Sequence, residues 1–100
     1  MGKEQEATHD FDYDLGVSGP GKSMVLTTAN SVYVRVLDEE NYKKMRAGEE
    51  FKAFQGQIHS SPYRFKFPRE AHWYAVVTPS VFFGVSGIDV QVRKDSMLDS

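Results

Sequence analysis

The sequence predicts a mainly β fold: a compact antiparallel β-sandwich or barrel-like domain carrying one short helix. Two observations predict it. Short runs of alternating apolar and polar residues recur through most of the chain, with turn signals between them at roughly 8–12-residue spacing. Helix-boundary residues gather at a single place, between Asp38 and Gly48. The chain has 100 residues, 40% of them hydrophobic and 13% aromatic, enough apolar surface for one core without covalent staples. We expect a flexible arm over residues 1–10, a single domain over 11–94 and a frayed tail over 95–100.

The elements follow in chain order. Residues 1–10 are polar and lack periodicity, and no strand is assigned to residues 11–22. Met24, Val25, Leu26, Thr27 and Thr28 form a β-rich run that ends at the turn pair Asn30-Ser31. In the next strand, Val32, Val34 and Val36 face one way and Tyr33, Arg35 and Leu37 the other, with Arg35 marking a partly covered face. Asp38 is then an N-cap, Glu39 and Glu40 favour the dipole of the first turn, and Gly48 stands where a C-terminal cap belongs. These signals predict a helix over about 39–47. Leu37 and Tyr42 occupy the staple positions, and Tyr42 and Met45 are the residues the helix should bury.

Phe51 and Phe54 anchor a segment interrupted by Gly56, and Ile58 begins the approach to the next strand. Tyr63, Phe65 and Phe67 alternate with Arg64 and Lys66 between Pro62 and Pro68, a half-buried strand. His72 to Val77 reads as a buried strand, with Trp73, Ala75 and Val77 on one face, Tyr74 and Val76 on the other, and Thr78, Pro79 and Ser80 breaking it. Val81 to Val85 is a further apolar run. Ile88, Val90 and Val92 alternate with Asp89, Gln91 and Arg93 in a final strand.

Composition narrows the chemistry. With no cysteine, disulfides, thiolate metal sites and cysteine nucleophiles are excluded, and a reducing compartment is expected. The acidic start lacks the basic and apolar regions of a secretory signal, and no run of about eighteen apolar residues is present. The expected location is cytoplasmic, with no membrane partner. Net charge is −2, which favours no nucleic-acid partner.

Gly16-Val17-Ser18-Gly19-Pro20-Gly21-Lys22-Ser23 matches the phosphate-binding pattern G-x-x-x-x-G-K-[ST]. That chemistry needs an apolar parallel strand before the loop and a helix after it, so that backbone N–H groups surround the phosphates. Here Asp10, Asp12 and Asp14 precede the loop, a β-rich run follows it, and Pro20 lacks an N–H. We read a turn between strands. An enzyme built on this loop would instead show ATP or GTP turnover lost in Lys22→Ala. His9, His59 and His72 have no metal-ligand spacing, so no metal and no cofactor are expected. His59 and Ser60 are adjacent and would point to opposite faces of a strand. No catalytic pair emerges.

The order Tyr13-Asp14-Leu15-Gly16, a Gly21 turn, Val34-Arg35-Val36-Leu37-Asp38, Asn41-Tyr42, Gly48, Ser61-Pro62, Pro68, His72-Trp73-Tyr74 and Val76-Val77 resembles the bacterial domain of unknown function 1883 family. The resemblance spans about Tyr13 to Arg93. It implies a compact β-rich fold found alone or fused to TIR signalling domains, and it brings no catalytic or binding residues. It also implies that the Lys22-Ser23 ending is incidental, since relatives have a glycine turn there without it.

Two functional readings follow. The first is a non-catalytic recognition or interaction module for a protein or small ligand, with self-association possible through Tyr74, Phe82 and Phe83 if these are exposed together. The second is binding of a small anionic ligand, nucleotide-derived or phosphorylated. Its candidates lie in the basic 43–69 region: Lys43, Lys44, Arg46, Arg64, Lys66 and Arg69. It requires Arg64 and Lys66 to share a face with the basic side of the helix.

Overall fold

In the computed structural model, residues 10–29, 31–58, 62–79 and 88–95 are described. They form β1 (Phe11–Ser18), β2 (Lys22–Thr27), β3 (Val32–Asp38), α1 (Glu39–Arg46), β4 (Phe54–Ile58), β5 (Tyr63–Lys66), β6 (Ala71–Pro79) and β7 (Asp89–Lys94). Every strand pairing is antiparallel. One sheet has the order β1-β6-β3-β4 and the other β5-β2-β7, so the chain is a β-sandwich with a single helix among the described residues. None of them forms a helix long and apolar enough to cross a membrane.

The alternation along each strand explains the layering. Val32, Val34 and Val36 of β3 and Trp73, Ala75 and Val77 of β6 face inward, where they meet Met24 and Leu26 of β2. Phe67 and Ile58 complete the buried cluster, and Tyr63, Phe65, Val90 and Val92 pack against it from the smaller sheet. Each fully buried aliphatic side chain contributes about 1.5–3 kcal/mol, so this inward series is the main source of stability. Tyr33 and Arg35 take the outer face, as their period dictates. The Arg35 guanidinium sits 5.7 Å from the Tyr33 ring centroid and its Nη1 lies 3.5 Å from Met45 Sδ.

Helix α1 lies on that outer face. Asp38 caps it, its Oδ1 accepting the Asn41 N–H at 3.0 Å, and Gly48 follows with φ +79°, the left-handed stop that glycine adopts without Cβ strain. Glu39–Lys43 and Glu40–Lys44 pair at i,i+4 separations of 3.6 and 3.7 Å. The helix buries no residue of its own: Tyr42 and Met45 are only half covered, because among the described residues no element packs over the two turns from the solvent side. What becomes buried is the sheet beneath, Leu37 at 1% and Val76 at 0% exposure.

Several sequence expectations are corrected. A strand, β1, precedes the glycine loop, although it is acidic and antiparallel to β6. Phe11, Tyr13 and Leu15 carry its period, but aspartates, which strands disfavour, hide it. Its register shifts between Asp14 and Gly16, a bulge in which the Gly16 N–H donates to Asp14 Oδ1 at 2.9 Å. The segment around Gly56 is itself a strand, which Ile58 ends rather than introduces. β6 continues through Thr78 to Pro79, which pairs with Val32 at the strand's end, where a missing N–H is tolerated. Asp95, expected in the tail, is fastened: its N–H donates to the Gly21 carbonyl at 2.7 Å and its carboxylate accepts the Ser23 hydroxyl at 2.6 Å.

The phosphate-loop pattern is a turn between sheets. Gly19 to Lys22 is closed by the Lys22 N–H on the Gly19 carbonyl at 3.0 Å, with Pro20 second and Gly21 third at φ +97°, the residue types a type II turn requires. Lys22 and Ser23 begin β2, with no helix after them.

Candidate functional site

A concavity lies where β3 hands over to α1. Asp38 continues the inward series of Val32, Val34 and Val36 and pairs across the sheet with Trp73, which places a carboxylate at the mouth of the sandwich. Its Oδ1 accepts from both the Asn41 N–H and the Asn41 side-chain amide, at 3.0 and 2.9 Å. Its Oδ2 accepts from the Arg69 guanidinium. Asn41 Oδ1 in turn accepts the Lys52 N–H at 2.9 Å and ties the segment before β4 to the helix. Arg69 is also positioned from below, its Cζ lying 5.3 Å from the Trp73 ring centroid while its carbonyl accepts Trp73 Nε1–H at 3.1 Å.

These bonds frame a cleft of about 720 Å³ lined by Asp38, Glu40, Asn41, Lys44, Glu50, Phe51, Lys52 and Arg69. An adjoining recess of about 330 Å³ shares Asp38, Asn41, Lys52 and Arg69 and is floored by Val36, Leu37, Ala53, Phe54 and Trp73. The floor belongs to an aromatic cluster that reaches solvent. Phe54 lies 5.3 Å from Phe65 and 6.3 Å from Trp73 between ring centroids, yet remains 52% exposed, while Trp73 is 1% exposed. At the rim, Lys44, Lys52 and Arg69 are matched by Asp38, Glu40 and Glu50. Burial pushes the Asp38 carboxyl up, but the Asn41 N–H, the Arg69 guanidinium and the Asn41 amide together outweigh it and hold its pKa below the ordinary carboxylate value.

The sequence candidates distribute unevenly over this geometry. Lys44 and Arg69 reach the cleft. Lys43 pairs with Glu39, and Arg46 pairs with Asp12 at 3.1 Å on the β1 side of the helix. Arg64 and Lys66 are exposed on β5 while Tyr63 and Phe65 of the same strand pack inward, so the pair occupies the outer face of the smaller sheet, with the sandwich between it and α1. Arg64 lies 3.7 Å from Asp95. The structure therefore does not gather the six basic residues on one face.

Tyr74 is half-buried, with a neighbouring ring stacked on it from two sides. It stacks on Tyr42 at 4.0 Å and 7°, and on His72 at 4.9 Å and 6°. Tyr42 donates its hydroxyl to Asp12 at 2.6 Å, which raises the Tyr42 pKa, and His72 Nε2 lies 2.6 Å from Asp14 Oδ1. The Gly16 N–H and His72 together lower the Asp14 pKa. Phe82 and Phe83, with the Val81 to Val85 run, lie outside the described residues. Among the described residues, no group of three or more His, Asp or Glu side chains is placed to hold a metal ion.

Sequence reasoning found Asp38 as a cap and missed it as one wall of a cleft. Its partner Arg69 is 31 residues away, and no local pattern connects the two. Asn41 and Phe54 were missed as lining residues for the same reason.

No curated protein and no solved structure matches the chain. The family described as Domain of unknown function (DUF1883) matches residues 10–96, and that span includes β1 through β7 and every residue of the cleft. The chain belongs to the DUF1883 family.

Proposed function

We propose that this chain is a non-catalytic recognition module whose cleft binds a short polypeptide segment carrying an apolar side chain flanked by charges of both signs. One observation carries this reading: an apolar recess floored by Phe54 and Trp73 opens into a rim with three cationic and three carboxylate side chains. A balanced rim gives a bare anion little net attraction. A peptide, by contrast, supplies partners for both signs and a side chain for the recess. In this reading the module acts in the bacterial cytoplasm, alone or beside TIR signalling domains, in keeping with the family resemblance.

A second reading, capture of a nucleotide-derived or phosphorylated anion, is favoured by the convergence of Lys44, Lys52 and Arg69 on one mouth. Backbone-amide NMR titration separates the two. The probes are short peptides of the type Lys-Phe-Glu, inorganic phosphate and adenosine diphosphate. The peptide reading expects shifts at Lys52, Ala53, Phe54 and Arg69 with the peptides and none with phosphate. Shifts with phosphate or the nucleotide alone, weakening with salt, establish the anion reading instead. Silence from all three probes at these residues overturns both.

A further inference from the structure

We propose that the free edge of β4 is a self-association surface through which two copies of this chain pair antiparallel about Gly56. The inference does not depend on what occupies the cleft. Among the described residues, four strands end a sheet: β1 and β4 in one, β5 and β7 in the other. An end strand offers unpaired N–H and C=O groups to any passing strand, and charges or bulges on the strand are the usual protection. β1 has Asp12, Asp14 and a bulge. β5 has Arg64 and Lys66, and β7 has Asp89, Arg93 and Lys94. β4, with the sequence Phe-Gln-Gly-Gln-Ile, has no charged residue, no proline and an unbroken register with β3.

That sequence is nearly its own mirror about Gly56, which is what a two-fold antiparallel contact requires. With Gly56 facing Gly56 of the second copy, Gln55 faces Gln57 on the outer surface, where both are exposed, and Phe54 faces Ile58 on the inner surface. A two-fold axis through Gly56 is compatible with antiparallel bonding whether residue 56 or residues 55 and 57 point their backbone groups outward. Phe54, 52% exposed in the single chain, gains an apolar neighbour across the junction.

Gly56 supplies an independent observation. It is not among the glycines with positive φ, and a Cβ added to it meets nothing within 4 Å. The single chain therefore has no steric need for glycine there, although glycine weakens a strand. Interior strand glycines recur at bulges, at bends and where a ligand or another backbone approaches closely; the register with β3 is unbroken here, and pairing about Gly56 supplies such an approach. Paired copies join the two four-stranded sheets into one of eight strands.

Sedimentation equilibrium of the full chain over a concentration series tests this. The expected species has twice the 11.3 kDa chain mass. Replacing both Gln55→Lys and Gln57→Lys places lysine opposite lysine twice in this register and raises the dimer dissociation constant on the order of tenfold or more. Both side chains are exposed, and residue 55 lies opposite Arg35 of β3, so the dissociated lysine variant should still unfold in one cooperative transition, slightly below the dissociated parent. Mixing it with the Gln55→Glu, Gln57→Glu variant should restore the dimer as a mixed species. A parent that stays monomeric at the highest concentration, a lysine variant that dimerises undiminished, or a mixture that fails to re-pair each overturns the proposal.

Discussion

The two edges of the four-stranded sheet differ in how their side chains are employed. On β1, Asp12 accepts from Tyr42 and Arg46, and Asp14 contacts the Gly16 N–H and His72, so each acidic residue both fastens a neighbouring element and keeps a foreign strand away. On β4, Gln55 and Gln57 are exposed and uncharged, and Phe54 leaves half its surface in water beside the cleft. The difference teaches that an edge can be closed by the interactions that hold its own sandwich together. The edge without such interactions is where binding should be sought.

The largest expected effect tests whether the β4 side rests on the shared core. Trp73 is 1% exposed, donates Nε1–H to the Ser18 and Arg69 carbonyls, and underlies the recess. Trp73→Ala should cost about 3–5 kcal/mol by denaturant unfolding. A loss below about 1 kcal/mol, within the range of ordinary surface changes, would mean that the recess is not supported from within. Next, Asp38→Ala should cost about 1–2 kcal/mol through the lost cap, with Asp38→Asn retaining much of it. The acid limb of the stability profile should report the same group. The Asp38 pKa is lowered in the folded state, so its contribution is complete well above the free aspartate value of about 3.9 and is lost as pH falls through that range toward the lower folded value. Asp38→Asn should flatten this limb, and an unchanged limb would assign it to other carboxylates such as Asp14.

On the β1 side, Tyr42→Phe keeps the stack on Tyr74 and removes the hydroxyl bond to Asp12, an exposed contact that should contribute about 0.5–1.5 kcal/mol at most. Equal stability in the two proteins would mean that the hydroxyl bond adds nothing to what the stack on Tyr74 and the Arg46 pair already hold on this side of the helix. The smallest stability effect belongs to Phe54→Ala, about 1 kcal/mol or less because the ring is half exposed. The same substitution should remove peptide-induced shifts at Lys52 and Ala53. If stability falls by several kcal/mol instead, the ring serves the core and the contrast between the edges weakens.

Legibility followed the range of the interaction. The valine alternation of β3 and the helix framed by Asp38 and Gly48 are encoded within a few residues of each other, and both were read from the chain alone. β1 and β4 escaped because Asp and Gly, which interrupt them, are poor strand formers. Their strand state comes from pairing with β6 and β3 rather than from their own preferences. The cleft escaped more completely. Arg69 reads as one of several basic residues until the turn before β6 brings it to Asp38.

By itself, then, the sequence determined the mainly β class, the helix after Asp38 and its cap, the inward series of valines and Trp73, and a turn within Gly16 to Ser23. These depend on side-chain period, capping and backbone restriction, all local properties. Only the tertiary structure decided that Lys44 and Arg69 converge while Arg64 and Lys66 lie across the sandwich, that Tyr74 stacks on Tyr42 and His72, and that Phe54 stays half bare at an uncharged edge. Which strands become neighbours is settled by the joint packing of both sheets around one core, and no single segment of the chain carries that information.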